Sequence, residues 1–522
     1  YKDVARKIEK MHILMSEGGV EKGDKIAICG RNSSHWGVAF LATVTYGAVA
    51  VPILHEFKPD VVHHIVNHSD AKFMFVGDAV WPTLNPDEMP HLQGIILVND
   101  FSLLVSRSEK LTYAREHLNE MFGKKYPKEF GPEAISYHEE ESPDELAMIN
   151  YTSGTSGFSK GVMIPYRAVR SNIEFAKTVL PQLNNTSRVV AMLPTAHMYG
   201  LMFEVLYELT VGCHVFFLSR LPSPKIIMQA LSEVKPTLVV AVPLIIEKIY
   251  KSKVKPVLEK AGIRFAMRLP ILEQVIMNKI KTELVNAFGG EFYEVIIGGA
   301  AFNKEVEAFF KRMEFPFTVG YGMTECAPII TYDDYKTAKL YSCGRIVPNM
   351  EMKIDSRDPQ NVPGELLVRG ANVFLGYYKN EEATKEVLDA DGWLHTGDMG
   401  VIDADGYLFL RGRSKCMILG PSGQNIYPEE VEAVLDTRPY VLESLVIEDN
   451  GGLTALIYPD FDLAAKEGMN QATFIKYIED TLPEINKELP NYAKLKKIEV
   501  MSEAFERTPK KSIKRYLYQR NN

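Results

Sequence analysis

The run Lys25-Ile-Ala-Ile-Cys29, set between Asp24 and Gly30, is short, apolar and bounded by turn residues, the pattern of a buried strand. Working outward, Gly30 and Asn32 lead into an apolar helix carrying Trp36, Phe40 and Val44. Gly47 ends it, and a second apolar run follows at 49–54. A His-rich helix then leads to a third strand at 72–76. The same order begins again at Arg188: strand 189–193, a proline turn, helix 199–209, Gly212, strand 214–218, helix 225–232 and strand 238–242. The spacings agree, Ile26 to Val51 being 25 residues and Val189 to Val215 being 26. Strand–helix alternation of this kind predicts parallel sheets covered by helices on both faces, and the matched spacing predicts two related α/β subdomains.

The texture changes further along. From 342 to 410 the segments are short and alternating, at 351–354, 364–369 and 406–411, with frequent Gly and Asp turns, which predicts antiparallel β structure. Helices and strands alternate again from Gly412 onward. The expected fold is therefore α/β: a large region of two related α/β subdomains plus a β-rich subdomain over 1–411, then a small mobile α+β domain over 412–522. The chain of 522 residues carries 59 Lys and Arg against 67 Asp and Glu, a net charge of −8, which disfavours general nucleic-acid binding. With 46% apolar and 24% charged residues it is neither mainly disordered nor membrane-embedded. Its most apolar region, 189–219, contains Pro194, His197, Glu204 and Glu208 and reads as buried core rather than a membrane span. Cys29, Cys213, Cys326, Cys343 and Cys416 are scattered without a Cys-x-x-Cys pair, as expected of free thiols in a reducing compartment. The sequence opens at Tyr1 without Met, inside a helical pattern, so a removed signal or a lost first strand stays open.

The chemistry starts at Tyr151. Leu146-Ala-Met-Ile-Asn-Tyr151 reads as a strand and runs into Thr152-Ser-Gly-Thr-Ser-Gly-Phe-Ser-Lys-Gly161. Gly154, Gly157 and Gly161 permit close backbone approach, the hydroxyls of Thr152, Ser153, Thr155 and Ser156 with exposed amides cradle phosphate oxygens, and Lys160 supplies a point charge. The spacing is not that of a Walker A loop. A flexible Ser/Gly hairpin is the bland alternative; the strand leading in and the lysine leading out favour phosphate.

This loop resembles the signature of the acyl-adenylate-forming enzymes: acyl-CoA synthetases, luciferases and peptide-synthetase adenylation domains. It matches residue by residue, except that Ser159 stands where the family has proline before Lys-Gly. The resemblance extends in family order through Gly298-Gly-Ala-Ala301, Tyr321-Gly-Met-Thr-Glu325, Thr396-Gly-Asp398 and Gly412-Arg-Ser-Lys415, spanning nearly the whole chain. Each motif has its own physical sense. Gly298-Gly299 ends an apolar strand with room for a flat ring against the backbone, and Tyr321 offers an aromatic face for a purine. Thr324 can bond a phosphate, Glu325 can hold a magnesium ion, and Asp398, in a Gly-bounded turn, suits a ribose diol. A helix cap, a surface carboxylate and an Asx-turn are the plain alternatives for these three. The resemblance implies that Thr152, Ser153, Gly154, Thr155, Ser156, Gly157 and Lys160, with Gly299, Ala300, Tyr321, Gly322, Met323, Thr324, Asp398 and Arg413, bind the nucleotide. It also implies a metal on Glu325, a hinge at Lys415, and His197 near the reacting carboxylate. A core histidine is the alternative for His197. His64 and His68, at i and i+4 on a helix, read as a solvated face rather than a metal site.

The resemblance implies a two-step reaction using ATP, Mg2+ and coenzyme A: a carboxylate is adenylated with release of pyrophosphate, then a thiol takes the acyl group. Gly423-Gln-Asn-Ile-Tyr-Pro-Glu-Glu430 resembles the loop lining the thiol's approach. The last 29 residues hold nine basic and three acidic side chains, which either attract the phosphates of coenzyme A or form a solvated helix. Near the C-terminus, Thr508-Pro-Lys-Lys-Ser-Ile-Lys-Arg515 places Ser512 where the family has a catalytic lysine. Lys511, one residue away, is the preferred replacement, with Lys514 or a weak adenylation activity as alternatives. Val242-Pro-Leu-Ile-Ile-Glu-Lys-Ile-Tyr250 and the insertion 251–284 look like the long-chain fatty acyl-CoA synthetase branch. The insertion's Phe265, Met267, Leu269, Ile271, Leu272, Val275 and Ile276 suit lipid contact, an acyl tunnel or simple core packing. An enzyme loading another acid or a carrier protein, and a non-catalytic acyl or nucleotide sensor, stay open. The expected location is cytoplasmic, with peripheral contact at the inner membrane surface as an option.

Overall fold

The computed structural model describes residues 1–152, 159–220, 223–419, 424–508 and 513–520. Its first sheet contains β1 (Lys25–Cys29), β2 (Val49–Ile53), β3 (Ala71–Val76), β4 (Gly94–Leu97), β5 (Leu103–Ser106), β6 (Leu146–Thr152) and β7 (Lys160–Pro165), in the order β5-β4-β3-β1-β2-β6-β7. The strands β4, β3, β1, β2 and β6 run parallel, and β5 and β7 are antiparallel edges. Residues 26–29 are buried throughout, which is why β1 is continuously apolar instead of alternating.

The second half repeats this plan. Strand β8 (Arg188–Ala191) pairs in parallel with β9 (His214–Phe217), while β10 (Val239–Ala241), β11 (Val295–Ile297) and β12 (Phe317–Val319) form a parallel trio. A single parallel bridge, Val189 to Leu238, joins the two sets. The order β9-β8-β10-β11 thus repeats β2-β1-β3-β4, with the first strand of each unit flanked by its second and third. Val189 faces Val215 in the ladder, whereas Ile26 faces Ala50 and it is Ala27 that faces Val51.

The helix expected over 199–209 is not regular. An α-helical turn at Met198–Leu201 passes into a π-helical segment at Met202–Leu206 and returns to α-helix at Tyr207–Val211. Within the π segment Glu204, fully buried, accepts hydrogen bonds from the Met192 amide at 3.2 Å and the Leu193 amide at 2.9 Å. These bonds anchor the turn that carries His197.

Strands Met350–Asp355, Gly364–Gly370, Leu394–Ile402 and Leu408–Arg413 form an antiparallel sheet in that order, as the sequence texture predicts. The last begins two residues later than expected, because Asp403 Oδ1 accepts from the Asp405 and Tyr407 amides and holds that stretch as a turn. Beyond it, Val441–Asp449, Gly452–Pro459 and Leu495–Val500 form a three-stranded sheet, and its Ala455 makes a core of its own with Leu435, Phe474 and Ile485 from the surrounding helices. Among its described residues, the basic C-terminal stretch contains this last strand and one 3-10 turn, Arg515–Leu517. Among the described residues, its cations form ion pairs that include Arg515 with Glu432, Arg520 with Glu499 and Asp449, Lys497 with Glu499, and Lys514 with Glu506.

Candidate functional site

Parallel strands present ligand-binding loops at their carboxyl ends, and here the two sheets bring those ends together. Asn32, just after β1, donates to the carbonyls of Ala191 and Leu193, and accepts from the Thr195 amide at 3.0 Å. Asn150 on β6 donates to the Ala196 carbonyl at 2.9 Å. Both buried amides therefore hold the 192–197 turn against the first sheet. His197 ends that turn as the N-cap of the next helix, its Nδ1 accepting from the Tyr199 amide at 3.3 Å.

Thr152 at the end of β6 faces Lys160 at the start of β7 in an antiparallel ladder, so the base of the intervening loop is fixed on both sides. Ser153, Gly154, Thr155, Ser156 and Gly157 lie outside the described residues. Lys160 Nζ sits 4.8 Å above the ring of Tyr377, and the Tyr377 hydroxyl donates to Glu325 Oε1 at 2.9 Å. Tyr377 is buried, and burial together with the Glu325 charge pushes its hydroxyl well above the usual range, so it stays a donor. The segment that carries it bridges to β7: Tyr378 N donates to the Gly161 carbonyl at 2.8 Å, and Tyr377 bridges Val162. No motif marks Tyr377, whose partners lie far away in the chain. Nearby, His68 is not part of a solvated face. Its Nδ1 shares a 2.7 Å hydrogen bond with the Tyr151 hydroxyl on β6, and burial with the neighbouring His64 and Lys379 lowers its pKa.

The loops after β11 and β12 face the same region. At Gly298 a Cβ would lie 3.2 Å from the ring of Tyr199, so the flat ring against this backbone is the protein's own. Open backbone begins one residue later, at the exposed Gly299, whose φ of +87° demands glycine, and at Ala300. Gly322 passes so close to the Pro328 carbonyl that a Cβ would collide with it. Thr324 and Glu325 are buried in the turn that follows Met323. Among the described residues no group of three or more His, Cys, Asp or Glu could hold a metal, so Glu325 offers one carboxylate. One carboxylate suits Mg2+ that keeps waters and takes further ligands from substrate phosphates.

Asp398 is not in a turn. It lies inside strand Leu394–Ile402, because a register shift at 399–400 and the positive φ of Gly397 accommodate the motif within the ladder. Asp398 Oδ2 accepts from the Tyr321 hydroxyl at 2.5 Å, and Oδ1 lies 3.2 Å from Arg413 Nε. Burial pushes the Asp398 carboxyl up, and Arg413 and the Tyr321 hydroxyl partly offset this. The Glu325 charge is felt at Arg413, so metal candidate and diol candidate share one electrostatic neighbourhood. Lys415 is exposed on a 3-10 turn, Ser414–Cys416, immediately after this strand pair. Lys511 and Ser512 lie outside the described residues. Lys514 is tied to Glu506 at 3.1 Å.

Two family models match. The model described as AMP-binding enzyme covers residues 1–378, and that described as AMP-binding enzyme C-terminal domain covers 417–521. Among curated relatives, the long-chain-fatty-acid–CoA ligase ACSBG1 of Mus musculus is 27% identical over 479 residues, 85% of this chain and 64% of its own length. The ligase ACSBG2 of Gallus gallus is 27% identical, covering 84% of this chain and 60% of its own. The peroxisomal long chain acyl-CoA synthetase 6 of Arabidopsis thaliana is 29% identical over 86% of this chain and 67% of its own. The chain thus spans less than two thirds of the first two. Among solved structures, the anthranilate CoA ligase AuaEII in complex with anthranoyl-AMP superposes with a TM-score of 0.77 at 20% identity, over 99% of this chain and 90% of that one. ATP-bound MatB from Rhodopseudomonas palustris gives 0.76 at 21%, over 99% and 92%. These two share the fold. Among the described residues no helix is long and apolar enough to cross a membrane.

Proposed function

The chain belongs to the family of AMP-binding enzymes, and from that premise we propose that it is an AMP-forming acyl-CoA synthetase acting on a long-chain fatty acid. A carboxylate oxygen attacks the α-phosphorus of ATP, the bond to the β-phosphate oxygen breaks, and pyrophosphate leaves. The sulfur of coenzyme A then attacks the acyl carbon of the acyl-adenylate, and AMP leaves with the oxygen it gained. The observation that carries this reading is the pair of relays meeting at the sheet ends: Lys160–Tyr377–Glu325 on one side and Tyr321–Asp398–Arg413 on the other.

In this reading Thr152, Ser153, Gly154, Thr155, Ser156, Gly157 and Lys160 hold the β- and γ-phosphates, and Thr324 bonds the α-phosphate. Gly299, Ala300, Tyr321, Gly322 and Met323 flank adenine, while Asp398 and Arg413 take the ribose hydroxyls. A magnesium ion on Glu325 would neutralise phosphate charge. Tyr377 orients that carboxylate, and His197 lies beside the reacting acid. Lys511 supplies positive charge during adenylation. Residues 412–522 rotate about Lys415 between the two steps. The long-chain preference rests on the relatives named above, and with it comes a cytoplasmic location with peripheral membrane contact.

The test is mass spectrometry of products formed from a panel of acids with ATP and coenzyme A. Long-chain acyl-CoA and AMP are expected. ADP as product, or an adenylate formed with aryl or short acids but never with fatty acids, would contradict the proposal.

A further inference from the structure

Helices Ala261–Ala266 and Pro270–Ala287 form a knuckle at the edge of the second subdomain. Core packing accounts for one side of it: Met277, Ile280 and Leu284 are buried in the second subdomain's core, where helix Pro270–Ala287 packs on helix Pro224–Val234, with Met267 and Ile276 packed alongside. The other side faces outward. Phe265 is 67% exposed, Leu269 45%, Ile271 81%, Leu272 45% and Val275 61%. Five large exposed apolar side chains within eleven consecutive residues, 265–275, are a patch, not the scattered exposure of an ordinary surface.

Charge says what covers it. Residues 251–281 carry eight Lys and Arg against two Glu, an excess of six positive charges in a chain whose net charge is −8. Glu273 is already paired with Arg312. Arg264 and Arg268, which flank Phe265 and Leu269, pair with no carboxylate among the described residues. An apolar tip flanked by the exposed Arg264 and Arg268, on a segment of net positive charge, fits a surface that is anionic outside and hydrocarbon inside. A second copy of the chain would set two like-charged rims against each other.

We propose that this knuckle docks on an anionic lipid bilayer, with Phe265, Ile271 and Val275 entering the acyl boundary and Arg264 and Arg268 meeting headgroup phosphates. The peripheral location above is the reading this rests on, and the knuckle gives it a place and a lipid chemistry. The helical run Pro243–Ile249, Tyr250–Val254 and Lys255–Leu258 joins the knuckle to Val242, whose Cγ1 is 3.7 Å from the Cβ position of Gly299. At 1.5 Å per residue that run is about 24 Å long. The proposal therefore puts the membrane at one end of a single helical rod and the candidate site at the other.

Flotation of the full chain with vesicles of phosphatidylcholine alone, or with added phosphatidylglycerol, tests this without substrate. Binding should require the anionic lipid and weaken with salt. Phe265→Ser/Ile271→Ser/Val275→Ser should lower partitioning at least about tenfold, and Arg264→Gln/Arg268→Gln about thirtyfold, with the melting temperature of the latter unchanged. Equal binding to neutral vesicles, wild-type flotation of both variants, or loss of self-association instead of lipid binding in the triple variant would overturn the proposal; the last would assign the patch to a second copy. Capture of an acidic protein in preference to vesicles would overturn it too. A chain that floats yet forms no acyl-adenylate would overturn the enzymatic reading and leave the docking surface standing.

Discussion

Asp398 and Arg413 face each other directly across the ladder of strands Leu394–Ile402 and Leu408–Arg413, carboxylate to guanidinium at 3.2 Å. The candidate diol acceptor is therefore latched to the residue that precedes the turn carrying Lys415. Because Arg413 counteracts the burial that raises the Asp398 carboxyl, its loss should raise that pKa further. Arg413→Ala should weaken ATP binding and move the acid limb of adenylation activity to higher pH, since Asp398 would then ionise only at higher pH. A pH profile of KM for ATP checks this. An acid limb that stays put would separate Asp398 from nucleotide binding.

Tyr377 offers a narrower test. Tyr377→Phe keeps the ring beneath Lys160 and removes only the hydrogen bond to Glu325. A hydrogen bond to a charged group contributes about 1.5–3 kcal/mol, so adenylate formation should slow by about 10- to 100-fold with little change in melting temperature. Single-turnover formation of acyl-adenylate measures it. An unchanged rate would remove Tyr377 from the site.

Lys511 and Lys514 separate cleanly. Lys514 already has Glu506 as partner, so Lys514→Ala should leave the reaction nearly intact. Lys511→Ala should lower adenylation by orders of magnitude while leaving thiolysis of supplied acyl-adenylate unaffected. The reverse result would transfer the role to Lys514.

Glu208 makes a prediction about stability. It is fully buried on the segment Tyr207–Val211, no other described residue hydrogen-bonds its carboxylate, and burial pushes its pKa up to about 8 from an ordinary 4.5. The folded state therefore prefers the protonated form. Its contribution is fully present below about pH 4.5 and is lost as pH rises through about 8, a change of about 5 kcal/mol. Glu208→Gln, neutral at every pH, should melt close to wild type near pH 4.5 and distinctly higher at pH 9. Equal melting curves at pH 9 would mean that the carboxylate finds solvent or a counter-charge.

Much of this was legible in the sequence because strands buried on both faces must be continuously apolar. That requirement makes residues 25–29 and their echo after Arg188 stand out, and the shared strand order of the two sheets follows from the shared spacing. The strand holding Asp398 was not legible, since Thr396-Gly-Asp398 has turn chemistry and only cross-strand register places it in a ladder. Tyr377 was invisible for a related reason: its contact with Lys160 closes over more than two hundred residues, and no local period records it. Helix Pro270–Ala287 is apolar on several sides, so its sequence alone could not say which side meets the core. Packing on helix Pro224–Val234 decides that, and leaves Ile271 and Val275 outside.

The most direct measurement of the central claim is exchange of labelled pyrophosphate into ATP by the full chain, with and without a long-chain fatty acid and before coenzyme A is added. Reversible adenylation predicts exchange that requires both the acid and Mg2+, and that collapses in Glu325→Ala. Exchange that ignores the acid, or consumption of ATP to ADP with no label incorporated, would contradict adenylate formation at this site.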